Sequence, residues 1–160
     1  VVRRARAFGM RVLGNDIKEI PSEFLKETSI EMVSLNELLE QADFISLNTD
    51  LNPTSHHLIS HEQFARMKSG AYLVNASRGP VVDEPALVLA LQEKKTAGAG
   101  LDVFEEEPLP DESPLRKLEN CLLAPHNANS SPRAWQRVHE NTVKNLLAGL
   151  RAGGEPNAGS

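Results

Sequence analysis

Five short apolar runs in the chain are each followed by polar or ionisable side chains: Asn15-Asp16, Asn48-Thr49-Asp50, Ser77-Arg78, Asp102 and His126. These types cover proton transfer, anion binding and hydroxyl recognition. Histidine takes up and releases a proton near neutral pH, arginine offers a permanently charged planar fork to a carboxylate, and a carboxylate accepts hydrogen bonds from hydroxyls. His126 follows Pro125 at the end of an apolar run, a better station for chemistry than most histidines occupy. Plainer readings stand beside these. Arg78 precedes Gly79-Pro80 and could be a turn residue, and Asn15-Asp16 is good turn chemistry. Glu105, Glu106 and Glu107 form an acidic triplet of the kind that usually marks a solvated loop, and nothing local chooses among the three. The functional reading comes from the shared placement, because open α/β sheets bind ligands beyond the carboxyl ends of their strands.

The elements that must do this positioning are legible in outline. Apolar, β-branched runs predict strands at Arg11–Leu13, Phe44–Leu47, Tyr72–Asn75, Ala97–Val103 and Cys121–Ala124, with a weaker one at Ile30–Val33. Helical signals lie between most of them. Ser34 with Glu37, and Ser60 with Gln63, read as capping boxes. Asp83-Glu-Pro85 opens a third helix with the apolar face Leu87, Val88 and Leu91. Ser131-Pro132 opens a fourth, with Trp135, Val138, Thr142, Leu146 and Leu150 on one face. Strands alternating with helices predict an α/β fold with a parallel sheet covered on both faces. No repeat or linker divides the chain, so residues 1–150 are expected to form one domain and 151–160 a frayed, flexible tail.

Bulk properties exclude several classes of function. Across 160 residues the chain is 40% hydrophobic and 24% charged, with a net charge of −5 and no long basic block. A nucleic-acid surface, which needs phosphate neutralisation, is not expected. No apolar run approaches the ~20 residues that span a bilayer, and Val1–Phe8 lacks the apolar core of a secretory signal. The single cysteine, Cys121, fits a reducing compartment and a small core position, so the cytoplasm is the expected location. Gly98-Ala-Gly100 lies in a strand that leads to an acidic loop, which sets it apart from a phosphate-binding glycine loop. His57 and His61 could share a helix face, but no third ligand is evident and no metal is expected. Trp135 could serve a core or an interface.

Three stretches carry a resemblance: Leu73-Val-Asn-Ala-Ser-Arg-Gly-Pro-Val-Val-Asp83, Gly100-Leu-Asp-Val-Phe-Glu-Glu-Glu-Pro-Leu109 and Leu123-Ala-Pro-His126. With Arg11–Asp16 and Ser34–Leu47 they make the chain, to about Leu150, resemble the NAD-binding domain of the D-isomer-specific 2-hydroxyacid dehydrogenases, in a phosphoglycerate dehydrogenase-like form. The resemblance implies a Rossmann-type doubly wound parallel sheet, NAD as cofactor, and a small 2-hydroxy or 2-keto acid as substrate. It implies a catalytic set of Arg78, Glu107 and His126, with the Phe-x-x-Glu-Pro spacing selecting Glu107. His126 would be the acid/base for the substrate hydroxyl, Glu107 would fix its tautomer and stabilise the imidazolium, and Arg78 would hold the substrate carboxylate and carbonyl oxygen. Asp16 would accept the adenosine ribose hydroxyls and repel a 2′-phosphate, favouring NAD over NADP. Asp102 and the backbone at Ala76 would bind the nicotinamide carboxamide, with Asn48 and Thr49 lining the pocket. The family pattern also implies a homodimer.

No G-x-G-x-x-G loop occurs in these residues. By the resemblance, that loop and the strand before it lie upstream of Val1, so the domain is expected to be N-terminally truncated, without its first strand. In a sheet ordered 3-2-1-4-5-6 this strand is central, between the Arg11–Leu13 and Phe44–Leu47 strands. Its loss would leave two unpaired edges, so the chain alone is expected to bind NAD poorly and to associate. Two segments depart from the family pattern, Asn48-Thr-Asp-Leu-Asn52 and Asn127-Ala-Asn-Ser-Ser131, and both border the expected pocket. Phosphoglycerate, glyoxylate or hydroxypyruvate, lactate-like acids and phosphite stay open as substrates. Rival readings are an NADH-responsive, corepressor-like binding protein of the same fold and an inactive structural remnant.

Overall fold

Short parallel strands form where the apolar runs lie, in a computed structural model that describes residues 1–128 and 130–151. In chain order the strands are β1 (Leu13–Gly14), β2 (Glu31–Met32), β3 (Phe44–Leu47), β4 (Tyr72–Asn75), β5 (Gly98–Leu101) and β6 (Cys121–Leu123). The helices are α1 (Val2–Ala7), α2 (Ser22–Thr28), α3 (Leu35–Gln41), α4 (His61–Arg66), α5 (Glu84–Gln92) and α6 (Pro132–Arg151). Of the expected tail at 151–160, Arg151 ends α6 and residues 152–160 lie outside the described residues. Two compact units result, Val1–Pro125 and the segment from His126 onward.

Local chemistry sets the helix starts. Ser34 Oγ accepts the Glu37 N–H at 3.3 Å while Glu37 Oε2 accepts the Ser34 N–H at 2.9 Å, closing the expected box at α3. At α4 the expected box also forms, with Gln63 Oε1 accepting the Ser60 N–H at 3.1 Å, and the Ser60 hydroxyl donates to Asp83 Oδ2 at 2.7 Å. Asp83 in turn caps α5, its Oδ1 accepting the Ala86 N–H at 3.1 Å. Helix α2, which follows Pro21, was not expected from the sequence.

Within Val1–Pro125 the strands divide into two sheets. β1 and β2 pair in parallel, and β3, β4, β5 and β6 form a second parallel sheet in that order. β1 and β3 do not pair with each other. In the larger sheet Phe44, Tyr72 and Gly98 are in register at one end, and Asn75 lies beside Leu101 at the other. Ile45, Leu73, Ala99 and Leu101 from the sheet join Leu39, Phe64, Leu87 and Leu91 from α3, α4 and α5 in one core. Each fully buried leucine contributes roughly 1.5–3 kcal/mol to that core.

The expectation of a sheet covered on both faces is corrected. The opposite face carries Phe44, Tyr72, Val74 and Leu122, exposed by 60%, 46%, 42% and 76%. Phe44 and Tyr72 stack on each other there, ring centroids 5.6 Å apart. The cause within Val1–Pro125 is a shortage of helix cover: α3, α4 and α5 all supply the one core, while α1 buries no residue.

Candidate active site

The polar groups gather because each parallel strand ends at the same edge of its sheet. At the end of β4, Asn75 is 1% exposed and organises the turn that follows. Its Oδ1 accepts the Ser77 N–H at 3.1 Å and the Ser77 hydroxyl at 2.8 Å, and its Nδ2 donates to the Arg78 carbonyl at 3.0 Å. The turn leaves Ala76 and the Arg78 guanidinium exposed, with Arg78 Nη1 donating to the Ser77 carbonyl at 2.8 Å.

The adjacent strand β5 delivers the acidic residues. Asp102, buried at 8% exposure, donates its N–H to the Asn75 carbonyl at 2.9 Å and so continues the ladder past the strand. The chain then turns through Phe104, whose N–H donates to Glu107 Oε1 at 3.0 Å. These loops meet without a gap: a Cβ on Gly79 would lie 1.8 Å from the Phe104 carbonyl oxygen, so only glycine fits. Arg78 and Glu107 are thereby carried on loops in direct backbone contact.

The other expected residues are placed as follows. Asn48, after β3, donates its Nδ2 to the Ser46 carbonyl at 3.0 Å and the Ser46 hydroxyl at 3.1 Å, and the Thr49 hydroxyl donates to the Asp50 carbonyl at 3.3 Å. Asp16 sits exposed beyond β1 in the smaller sheet, where its Oδ1 accepts the Lys18 N–H at 2.8 Å. The turn chemistry at Asp16 is therefore real, and its exposed side chain remains compatible with a hydroxyl ligand. His126 is exposed in the second unit, three residues past Leu123, with a left-handed backbone (φ 53°). Arg78, Ala76, Asp102 and Glu107 are thus grouped at the ends of β4 and β5, with Asn48 and Thr49 on the neighbouring strand end, and Asp16 belongs to the separate sheet.

Comparison with known proteins settles the family. The model of the D-isomer specific 2-hydroxyacid dehydrogenase NAD binding domain matches residues 1–128. The chain belongs to that family. It is 50% identical over 158 residues to a glyoxylate reductase of Korarchaeum cryptofilum, covering 98% of this chain and 47% of the relative. It is 47% identical over 153 residues to a D-3-phosphoglycerate dehydrogenase of Methanocaldococcus jannaschii, covering 93% of this chain and 29% of the relative. Among solved structures, a glyoxylate reductase from Paecilomyes thermophila superposes with a TM-score of 0.86 at 37% identity, covering 95% of this chain and 45% of that one. A D-lactate dehydrogenase from Aquifex aeolicus, complexed with NAD and lactic acid, does so with a TM-score of 0.81 at 37% identity, covering 94% and 49%. The chain spans less than half the length of each of these relatives. Its fold is accordingly a Rossmann-type α/β domain of an NAD-binding family, as the motifs implied.

The donor set suits NAD: a carboxylate for vicinal hydroxyls at Asp16, and a backbone amide with a carboxylate, Ala76 and Asp102, at two adjacent strand ends for a carboxamide. Three contributors were not read from the sequence. Asn75 organises the Arg78 turn, and a buried amide closing an otherwise apolar run was its available signal. His57 and Glu84 both contact Glu105, whereas the sequence marked His57 only by its spacing to His61 and Glu84 only as part of a helix start.

Proposed function

We propose that this domain is the catalytic NAD-binding part of an oxidoreductase acting on the CH–OH group of a D-2-hydroxy acid. The observation that supports it best is the seam at Gly79 and Phe104, which sets an exposed arginine and a glutamate on contiguous loops at the edge where this fold binds its cofactor. Bound NAD would accept the hydride in oxidation and return it in reduction. Arg78 grips the substrate carboxylate and carbonyl oxygen, its planar charged fork matching both. His126 removes the hydroxyl proton in oxidation and supplies it in reduction. Glu107 orients the imidazole and stabilises its charged form. Asp16 holds the adenosine ribose, Ala76 and Asp102 the carboxamide, and Asn48 and Thr49 line the pocket. In this reading residues 1–150 act as the domain, and the working enzyme is a cytoplasmic homodimer. None of the described helices is long and apolar enough to cross a membrane.

Replacing His126 by Ala in the whole enzyme should lower kcat for a 2-keto acid by roughly 10²–10⁴-fold while NADH still binds. Steady-state turnover with fluorescence titration of NADH measures both. Turnover equal to the parent's would remove His126 from the acid/base role.

A further inference from the structure

His57 adopts a left-handed backbone with φ 51°, an uncommon state for a residue other than glycine. Three contacts hold it there. Its N–H donates to the Pro80 carbonyl at 2.8 Å, its ring stacks on His56 with centroids 4.0 Å apart, and its Nε2 lies 2.7 Å from Glu105 Oε1. With Nε2 carrying the proton, the imidazole donates to the carboxylate. The same Glu105 oxygen accepts the Glu84 N–H at 3.2 Å, and Glu84 Oε2 accepts the Glu105 N–H at 3.2 Å. Glu84 is the first residue of α5, so this reciprocal pair fastens the acidic loop to a helix packed into the core.

The geometry distinguishes the three consecutive glutamates. Glu105 points back to His57 and α5, whereas Glu107 folds over the Phe104 N–H. The contacts of His57 straddle both catalytic loops: its backbone holds Pro80, two residues beyond Arg78, and its ring holds Glu105, two residues before Glu107. A solvated acidic loop has no need of such ties. We propose that His57 and Glu105, braced by Glu84, form a clamp that fixes the Glu107 loop against the Arg78 loop. Both are positioning residues that touch no substrate, and the inference rests on the reading of Arg78 and Glu107 as catalytic.

The test uses the whole enzyme and four variants. His57→Gly suits the left-handed backbone and deletes the ring, and Glu105→Ala deletes the acceptor. His57→Gln and Glu105→Gln keep a polar partner in each place. In the first two, amide hydrogen exchange at Phe104 and Glu105 should speed up by about tenfold or more, with Leu89 and Leu91 inside α5 unchanged. Turnover of a 2-keto acid should fall roughly tenfold in kcat with KM for NADH within about twofold, and the Gln variants should recover most of it. Unaltered exchange at Phe104 and Glu105 overturns the clamp whatever the turnover does. Faster exchange with parental kcat overturns its positioning role, as does a loss in which kcat falls, KM for NADH rises and α5 protection declines together. An enzyme inactive on every 2-keto acid counts against the catalytic reading alone, and the exchange rates then support or overturn the clamp by themselves.

Discussion

Arg78 is positioned through its main chain, with Asn75 holding its carbonyl while the guanidinium stays exposed. That division suits a ligand-binding cation, because the backbone is fixed and the charged head keeps its donors on the surface. Cys121 shows the opposite case, a reactive group silenced by its surroundings. Burial pushes its thiol up to about 11, with the Glu84 charge adding in the same direction. Since the thiolate is the nucleophile, Cys121 should react with iodoacetamide at pH 8 on the order of a hundredfold more slowly than a free cysteine. Mass spectrometry of timed alkylations checks this, and the difference should vanish in denaturant.

At the scale of elements, Asp83 links two helix starts by capping α5 and accepting the Ser60 hydroxyl that begins α4. The Ser60 hydroxyl, and after it the Ala86 N–H, hold the Asp83 carboxyl below its usual value against an opposing burial effect. The depressed acid stabilises the fold above the ordinary aspartate range near 3.9, and that stability is lost as pH falls through its lower folded value. Asp83→Ala should therefore cost about 1–2 kcal/mol at neutral pH and show a smaller loss of stability on acidification, as measured by urea unfolding across pH. The capping residues were legible because caps are local: Ser34, Asp83 and Ser131 each act within three residues of themselves. Strands β3 and β4 were legible to the residue for a related reason, since their runs end in polar side chains. β1 begins later than its apolar run, and Arg11 instead pairs on the surface with Glu31 and Gln41. The ends of β4 and β5 announced Arg78 and Asp102, whereas the His57–Glu105 contact spans 48 positions and depends on two loops whose course no periodicity records.

Across Val1–Pro125, apolar surface is unevenly distributed. The face bearing Phe44, Tyr72, Val74 and Leu122 lies open beside a sheet edge at β3. Exposed, contiguous apolar surface next to unpaired strand groups promotes association. The 160-residue chain by itself should show sedimentation coefficients that rise with concentration, and a Phe44→Glu, Leu122→Glu double variant should shift it toward the monomer. Concentration-independent sedimentation of the parent chain would contradict this. The seam where Gly79 meets the Phe104 carbonyl has a different reach. Because neither loop can shift without displacing the other, substitutions on the two should be strongly non-additive. Transplanting one loop from a relative of different substrate preference would then fail, and the two segments would have to be exchanged together, as a single heritable unit.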